Sequence, residues 1–177
     1  MKNIVLIGMP GCGKSTVGVI LAKTLGMGFV DTDLMIQQQQ KSTLQRLIDS
    51  HGLDKFREFE EQALLSVTES SDTVIATGGS AVFCPRGMTF LKENGLCLYL
   101  DLPLEELERR LTNITTRGIA CRKGESLSDI FREREPLYRK YADITLNCDG
   151  LTTEQTVEAV SKKNPCLYAV FHKDNSA

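Results

Sequence analysis

The sequence predicts an α/β protein of three layers, in which helices cover both faces of a five-stranded parallel sheet. The first observation behind this prediction is that short apolar runs alternate along the chain with segments of helical spacing. The second is a glycine-rich segment that links the first apolar run to the first helical segment. The predicted strands cover residues 2–7, 28–31, 73–76, 96–100 and 144–147.

Seven helices are predicted between and after these strands, over 15–25, 33–50, 53–70, 86–93, 103–112, 126–140 and 152–163. Residues 113–124 combine glycines, β-branched residues and three cations, so we expect a mobile loop there. Asp101 follows the fourth apolar run and precedes Pro103, which favours a helix cap at Asp101. We expect one domain over 1–163, followed by a C-terminal tail over 164–177 that packs on the core or on another subunit.

The composition excludes several classes of partner. With 21 basic and 23 acidic residues, the chain offers no electrostatic reason to bind nucleic acid or an anionic membrane. No apolar stretch approaches the ~18 residues of a membrane span, and the first predicted strand leaves no room for a signal peptide. The six cysteines are scattered without a C-x-x-C pair, which favours reduced thiols. We therefore expect a cytoplasmic enzyme.

Residues 8–16 read Gly-Met-Pro-Gly-Cys-Gly-Lys-Ser-Thr, which is a P-loop between a predicted strand and a predicted helix. Its glycines let backbone N–H groups surround a phosphate, and the helix adds the positive end of its dipole. The lysine can reach the β- and γ-phosphates of ATP, and the serine hydroxyl can bind Mg²⁺. The candidate ATP-binding residues here are Gly11, Cys12, Gly13, Lys14, Ser15 and Thr16.

Two aspartates follow the second predicted strand. Because the carboxyl ends of parallel strands meet at one edge of a sheet, Asp33 could lie near the P-loop and orient or deprotonate an attacking hydroxyl. The alternative is that Asp33 only caps the next helix. Asp31 is a candidate for the outer shell of the metal ion.

Two further segments are candidates for binding the phosphate acceptor. Arg57 and Glu60 are three residues apart on a predicted helix, so the glutamate could hold the guanidinium in place to grip a carboxylate. The alternative is a surface ion pair. Gly78 and Gly79 follow the third strand and permit close approach of a ligand to the backbone; the alternative is an ordinary tight turn.

Together these segments resemble the shikimate kinases, a family of small P-loop kinases with a nucleoside-monophosphate-kinase-like fold. The resemblance covers residues 1–163 and implies a P-loop kinase fold with a mobile lid. It also implies transfer of phosphate from ATP, with Mg²⁺, to a hydroxyl of shikimate, giving shikimate 3-phosphate and ADP, in a monomer or weak homodimer. Its motifs are Gly-x-x-Gly-x-Gly-Lys-Ser-Thr at 8–16, Asp-Thr-Asp at 31–33, Phe-Arg-x-x-Glu at 56–60, Gly-Gly at 78–79 and Arg-x-Pro-Leu-Tyr at 134–138.

The resemblance also implies roles for single residues. Asp33 would contact the ring hydroxyls of shikimate, and Arg57 and Arg134 would bind its carboxylate, beside backbone contacts from Gly78 and Gly79. On the nucleotide, a lid arginine would meet the phosphates and a second arginine would lie near adenine; these are Arg117 and Arg110. The candidate catalytic residues are Lys14, Asp33 and Arg117.

The chain departs from the family pattern at two places. Ser80 stands where the family usually has a third glycine, and 117–120 reads Arg-Gly-Ile-Ala where the lid usually reads Arg-Pro-Leu-Leu. Ser80 adds a side chain where contacts to substrate are expected, and Gly118 is expected to make the lid more flexible. A kinase for another hydroxylated acid, such as gluconate, is therefore an alternative. A nucleotide-dependent switch is a weaker one, because the sequence has no guanine-reading Asn-Lys-x-Asp motif.

Overall fold

The computed structural model of the protein describes residues 3–67, 72–111 and 118–163. Within these ranges five strands form one sheet in the order β2-β3-β1-β4-β5, and every neighbouring pair is parallel. The predicted five-stranded parallel sheet is confirmed, and each strand ends within one residue of its predicted bounds. The strands are β1 (Asn3–Ile7), β2 (Gly28–Asp31), β3 (Thr73–Ala76), β4 (Gly95–Asp101) and β5 (Ile144–Asn147).

The strand order places three loops side by side. β1 lies between β3 and β4, and β3 lies between β1 and β2. Because all strands are parallel, the loops that follow β1, β2 and β3 leave from the same edge of the sheet. Open α/β sheets bind their ligands at this edge, where the chain order reverses.

Helices cover both faces of the sheet. α1 packs against α7 and against the first three strands, whereas α4 packs against α3, β1 and β4. Every residue of β1 and β3 is buried, as expected for central parallel strands. The helices are α1 (Lys14–Leu25), α2 (Thr32–Gln40), α3 (Leu44–Ser66), α4 (Pro85–Asn94), α5 (Leu104–Arg110), α6 (Leu127–Tyr141) and α7 (Thr153–Lys163).

The prediction of one continuous helix over 33–50 is wrong, because two helices, α2 and α3, cover this range. α2 ends at Lys41, which adopts a left-handed conformation with φ of +49°. α3 then starts after Thr43, whose hydroxyl accepts a hydrogen bond from the backbone N–H of Arg46. The predicted break near residue 52 corresponds to a kink inside α3, where Gly52 has φ of +78° and ψ of 172°.

The predicted cap at Asp101 is also wrong. β4 extends through Asp101, so α5 starts three residues later and no side chain caps it. The Asp101 carboxylate instead accepts hydrogen bonds from the Tyr99 hydroxyl at 3.0 Å and from Arg139 Nη2 at 3.1 Å. It thereby ties the end of β4 to α6.

The buried apolar residues form two clusters. The larger lies on both sides of the sheet. The smaller, here called the α2–α3 cluster, consists of Ile36, Leu44, Leu47, Phe56, Ala63 and Ala120. It brings Ala120 against the helices that carry Asp33 and Arg57.

The described residues contain no helix long and apolar enough to cross a membrane. Five of the six cysteines lie in the described ranges, and all five are free thiols. Cys166 and the rest of the predicted tail lie outside the described residues, as do residues 113–117 of the predicted lid.

Candidate active site

The P-loop joins β1 to α1 and brings Lys14 to the start of the helix. Gly13 precedes that helix with φ of +97°, a conformation that favours glycine. Lys14 Nζ turns back over the loop and donates hydrogen bonds to the carbonyl oxygens of Gly8 and Met9, at 2.8 and 2.9 Å. The loop carbonyls thus compensate a cation that is almost fully buried.

A cleft of about 330 Å³ opens where the loops after β1, β2 and β3 meet. One cavity therefore joins the predicted donor and acceptor sides, as direct transfer of a phosphoryl group requires. Of the residues predicted from sequence, those that line the cleft are Gly11, Gly13, Lys14, Ser15, Thr16, Asp33, Gly79 and Arg134.

The two aspartates at the end of β2 differ in their contacts. Asp31 Oδ1 accepts hydrogen bonds from the backbone N–H groups of Asp33 and Leu34, at 3.0 and 3.3 Å, so Asp31 caps α2. The alternative that Asp33 only caps the next helix is therefore wrong, because Asp31 is the residue that caps it. Asp33 is left facing the cleft.

The environment of Asp33 favours its neutral form. Burial is the main cause, and the neighbouring carboxylate of Asp31 adds to it, whereas the Lys14 ammonium acts in the opposite direction. The pKa of Asp33 is raised from 3.8 to about 6. A carboxylate with a pKa near neutrality accepts a proton more readily than an ordinary aspartate, which suits a general base.

The loop after β3 passes between charged groups with no room for side chains. A Cβ atom at Gly78 would lie 2.7 Å from Asp33 Oδ1 and 2.8 Å from Glu60 Oε1. A Cβ atom at Gly79 would lie 2.7 Å from Pro10 Cδ. Both glycines are therefore required by close packing rather than by the turn alone.

Arg134 on α6 is the most deeply buried cation at the site, with 2% of its surface exposed. Its Nη2 atom donates to the carbonyl oxygen of Ala120. Its Nε and Nη1 atoms are buried and have no hydrogen-bond partner in the described part of the chain. Buried donors are normally satisfied, so two free ones on a guanidinium indicate a place for an anionic ligand.

Arg57 lies beside Arg134 but does not line the cleft. Its guanidinium carbon is 4.8 Å from the centre of the Phe83 ring, and that of Arg134 is 5.6 Å from the same ring. The predicted hydrogen-bonded pair of Arg57 and Glu60 is not formed. The Glu60 carboxylate accepts hydrogen bonds from Ser80 instead, so Phe83 rather than Glu60 supports Arg57.

Glu60 is a buried carboxylate in the wall of the cleft, beside Gly78. Burial raises its pKa from 4.5 to about 7, and the negative charge of Asp33 acts in the same direction. The Ser80 hydrogen bond and the cations of Arg134 and Arg57 lower it. The hydroxyl of Ser80, at 2.7 and 2.6 Å from the two carboxylate oxygens, therefore faces Glu60.

Arg110 and Cys12 lie on a neighbouring pocket of about 330 Å³. This pocket shares Gly13 with the main cleft and is completed by residues of the segment 148–156. Arg110 Nε donates to Glu106 Oε1 at 2.7 Å, one turn earlier on α5. The position of Arg110 beside the P-loop is compatible with contact to the base of a nucleotide.

Arg117 lies outside the described residues, but the segment that follows it is close to the site. Gly118 has φ of +66°, and a Cβ atom there would lie 2.7 Å from Leu44 Cβ and 3.0 Å from the backbone nitrogen of Gln45. Proline, with φ fixed near −65°, could not adopt this conformation. The chain thus runs from Gly118 to Ala120 along the start of α3.

The groups that could hold Mg²⁺ meet at one place. Ser15, Asp31 and Asp33 line a pocket of about 400 Å³ that also reaches Gly118. A serine hydroxyl and carboxylate oxygens are the hard ligands that this ion prefers. The residues present therefore fit the ion expected from the P-loop sequence.

Two side chains that contact predicted site residues had no role predicted from the sequence. Phe83 is the ring shared by the two arginines, and no sequence signal distinguishes it from a core phenylalanine. Tyr138 donates from its hydroxyl to the carbonyl oxygen of Gly79 at 2.6 Å and stacks on Tyr99. Its position four residues after Arg134 placed it on the same face of α6, a spacing that could have indicated it.

Known proteins share this arrangement. A family model for shikimate kinase matches residues 10–164. The shikimate kinase of Caldicellulosiruptor bescii is 37% identical over 163 residues, covering 90% of this chain and 94% of its own length. That of Sulfurihydrogenibium sp. is 36% identical over 163 residues, covering 92% and 98%.

Solved structures of the same family share the fold as well. A solved structure described as shikimate kinase from Acinetobacter baumannii in complex with shikimate superimposes with a TM-score of 0.84. It is 31% identical, and the match covers 90% of each chain. Since the family model spans most of the chain and these relatives match it over nearly their whole length, the chain belongs to the shikimate kinase family.

Proposed function

We propose that this protein transfers the γ-phosphoryl group of ATP to a hydroxyl of shikimate, giving shikimate 3-phosphate and ADP. The observation that carries the proposal is the buried guanidinium of Arg134, which lines the cleft with Lys14 and Asp33 and has two donors without a partner among the described residues. A carboxylate with a nearby hydroxyl is the ligand that complements this arrangement.

On the donor side, the P-loop would receive the phosphates. Lys14 Nζ would exchange its hydrogen bonds to the carbonyl oxygens of Gly8 and Met9 for hydrogen bonds to phosphate oxygens. This exchange requires only a short movement of an ammonium group that is already buried. The backbone of Gly11 to Thr16 would complete the phosphate site. Arg110 would contact adenine, and Arg117 would contact the phosphates.

Ser15 would bind Mg²⁺ directly, and Asp31 would hold it from the outer shell. The chemistry that Mg²⁺ supplies when bound is neutralisation of charge on the β- and γ-phosphates. Asp31 can take this part while its Oδ1 atom caps α2, because a carboxylate has further lone pairs.

On the acceptor side, Arg134 would grip the carboxylate through Nε and Nη1, and Arg57 would add charge from its position over Phe83. The glycine backbone at 78–79 would lie against the ring. Asp33 would hold the attacking hydroxyl and take its proton as the phosphoryl group is transferred.

The test is ADP release from ATP and Mg²⁺ with and without millimolar shikimate. We expect release to depend on shikimate, and we expect Lys14→Ala to reduce turnover about a hundredfold or more. Lys23→Ala, which removes an exposed lysine from the last turn of the same helix, should retain wild-type turnover. ATP binding without stimulation by shikimate would contradict the proposal, and stimulation by gluconate instead would assign the other acceptor.

A further inference from the structure

Ser80 and Glu60 form a buried pair in the wall of the cleft that Asp33 and Arg134 also line. The serine is 4% exposed and the glutamate 3%. The Ser80 hydroxyl lies within 2.7 Å of both Glu60 carboxylate oxygens, and it is the side-chain group that donates to them. Twenty residues separate the two in sequence, and the fold brings them together through the contact of α3 with the 3₁₀ turn Ala81–Phe83.

Glu60 and Arg134 flank neighbouring glycines of one loop. Glu60 Oε1 would be 2.8 Å from a Cβ atom at Gly78, and Arg134 Nη1 would be 3.2 Å from one at Gly79. The carboxylate and the guanidinium thus lie close enough to interact electrostatically, yet Nε and Nη1 of Arg134 make no hydrogen bond to it. An ion pair between them would occupy the donors that the acceptor needs.

We propose that Ser80 is a positioning residue for the acceptor: its hydroxyl retains the Glu60 carboxylate, so that Nε and Nη1 of Arg134 remain free for the acceptor's carboxylate. This inference rests on the proposed function for the identity of the acceptor. Ser80 lines the cleft, but its hydroxyl is directed to Glu60, so in this role it acts through Glu60. Ser80, which stands where the family usually has glycine, is thus compatible with binding of the acceptor, because its hydroxyl is directed to Glu60.

The charges around Glu60 explain why a retaining group matters. The titratable groups that interact with it are Asp33 from α2, Arg57 from α3, Cys84 after the 3₁₀ turn, and Arg134 and Tyr138 from α6. The pKa of Glu60 is about 7, so the ionised form is well populated at neutral pH. An ionised carboxylate in a buried site is stabilised most by pairing with the nearest cation, unless a hydrogen bond from another donor keeps it in place.

The kinetic test is a double-mutant cycle of Ser80→Ala and Glu60→Gln. Ser80→Ala should raise the KM for shikimate about tenfold, because the released carboxylate competes for Arg134, while the KM for ATP and kcat change little. In the Glu60→Gln background, where no anion competes, Ser80→Ala should have little further effect. Ser66→Ala, which removes another hydroxyl from the helix that carries Glu60, is the matched control.

A second measurement reports on Glu60 without using activity. The infrared carboxyl band that wild type shows and Glu60→Gln lacks follows the ionisation of Glu60 as pH is changed. If Glu60 pairs with Arg134 in Ser80→Ala, its pKa should fall. If it stays in place and only loses a donor, its pKa should rise, and the proposal is overturned.

The outcomes separate this inference from the proposed function. An unchanged KM for shikimate in Ser80→Ala, or an equal increase in both backgrounds, contradicts the positioning role while shikimate turnover stands. If wild type fails to phosphorylate shikimate, the proposed function fails. The infrared titration then decides alone whether Ser80 keeps Glu60 from Arg134.

Discussion

At the scale of single residues, the cleft is lined by charged groups that are buried near one another. Arg134 has two donors without a partner in the ranges that the structure describes, and Asp33 and Glu60 have pKa values raised towards neutrality. Such groups reduce the stability of the folded chain, and they concentrate at functional sites because ligands and protons complete them. Their energetics lead to two predictions.

Arg134→Lys should weaken binding of the acceptor. Lysine keeps the charge but cannot present the two parallel donors of a guanidinium to a carboxylate. We expect the KM for shikimate to rise about 30-fold or more, the effect of about 2 kcal/mol or more that loss of a buried charged contact produces. Arg132→Lys is the control, because its side chain lies on the same helix and is 77% exposed. Equal KM values for the two variants would refute the assignment.

Asp33 should set the acid limb of the pH profile. Its raised pKa means that the proton-accepting form is present above about pH 6 and is lost as pH falls through that value. We expect kcat/KM for shikimate to decline below about pH 6. Asp33→Asn should lower kcat about a hundredfold or more.

The control for this experiment is Asp54→Asn, at an exposed position of α3. It should retain both the rate and the pH dependence of wild type. An acid limb that persists unchanged in the residual activity of Asp33→Asn would assign it to another group.

At the scale of elements, the segment after residue 117 is fastened at three successive residues. Gly118 lies against the start of α3, Ile119 is buried in the main core, and Ala120 joins the α2–α3 cluster. The Ala120 carbonyl also accepts a hydrogen bond from Arg134. The contact of Gly118 with Leu44 is therefore expected to influence both stability and the acceptor site.

Alanine substitutions at two glycines can distinguish the cost of backbone strain from the cost of a steric collision with Leu44. Gly118 and Gly124 both have positive φ, so alanine costs about 1–2 kcal/mol of backbone strain at either position. Only at Gly118 would the new Cβ atom also collide, with Leu44, whereas at Gly124 it meets nothing within 4 Å. Gly118→Ala should thus lower the free energy of unfolding by about 1–3 kcal/mol more than Gly124→Ala. It should also raise the KM for shikimate; equal effects in urea unfolding would show that the Leu44 contact is unimportant.

At the scale of the whole molecule, the sheet could be predicted and part of the site could not. Buried parallel strands are continuous apolar runs, and turn residues separate them, so five runs predicted five strands. Lys41 is not a residue that usually ends a helix, so the local signal for the break between α2 and α3 was confined to the capping residue Thr43. The partner of Glu60 depends on contacts across the fold, since Arg57 shares its helix face whereas Ser80 is distant in sequence.

The stability of the whole molecule should depend on the ionisation of Glu60. Its folded pKa of about 7 lies above the ordinary 4.5, so its contribution to stability is complete below about pH 4.5 and is lost as pH rises to about 7. The loss is about 3 kcal/mol at most. Glu60→Gln, which cannot ionise, should therefore stabilise the protein at pH 8 relative to pH 5. Urea unfolding of both proteins at the two pH values measures this, and an identical pH dependence would contradict it.

Arg134 also makes the two halves of the site depend on each other. One guanidinium donates to the carbonyl of Ala120 through Nη2, and in the proposed function its Nε and Nη1 atoms would bind the acceptor. If an acceptor binds this group as proposed, it would also restrain residues 118–120, and a nucleotide that contacts this part of the chain would restrain the guanidinium in return. A free-energy cycle requires the two effects to be equal, so each substrate should tighten the other by the same factor. Cooperativity between substrates is thus a property that this chain can obtain from a single side chain.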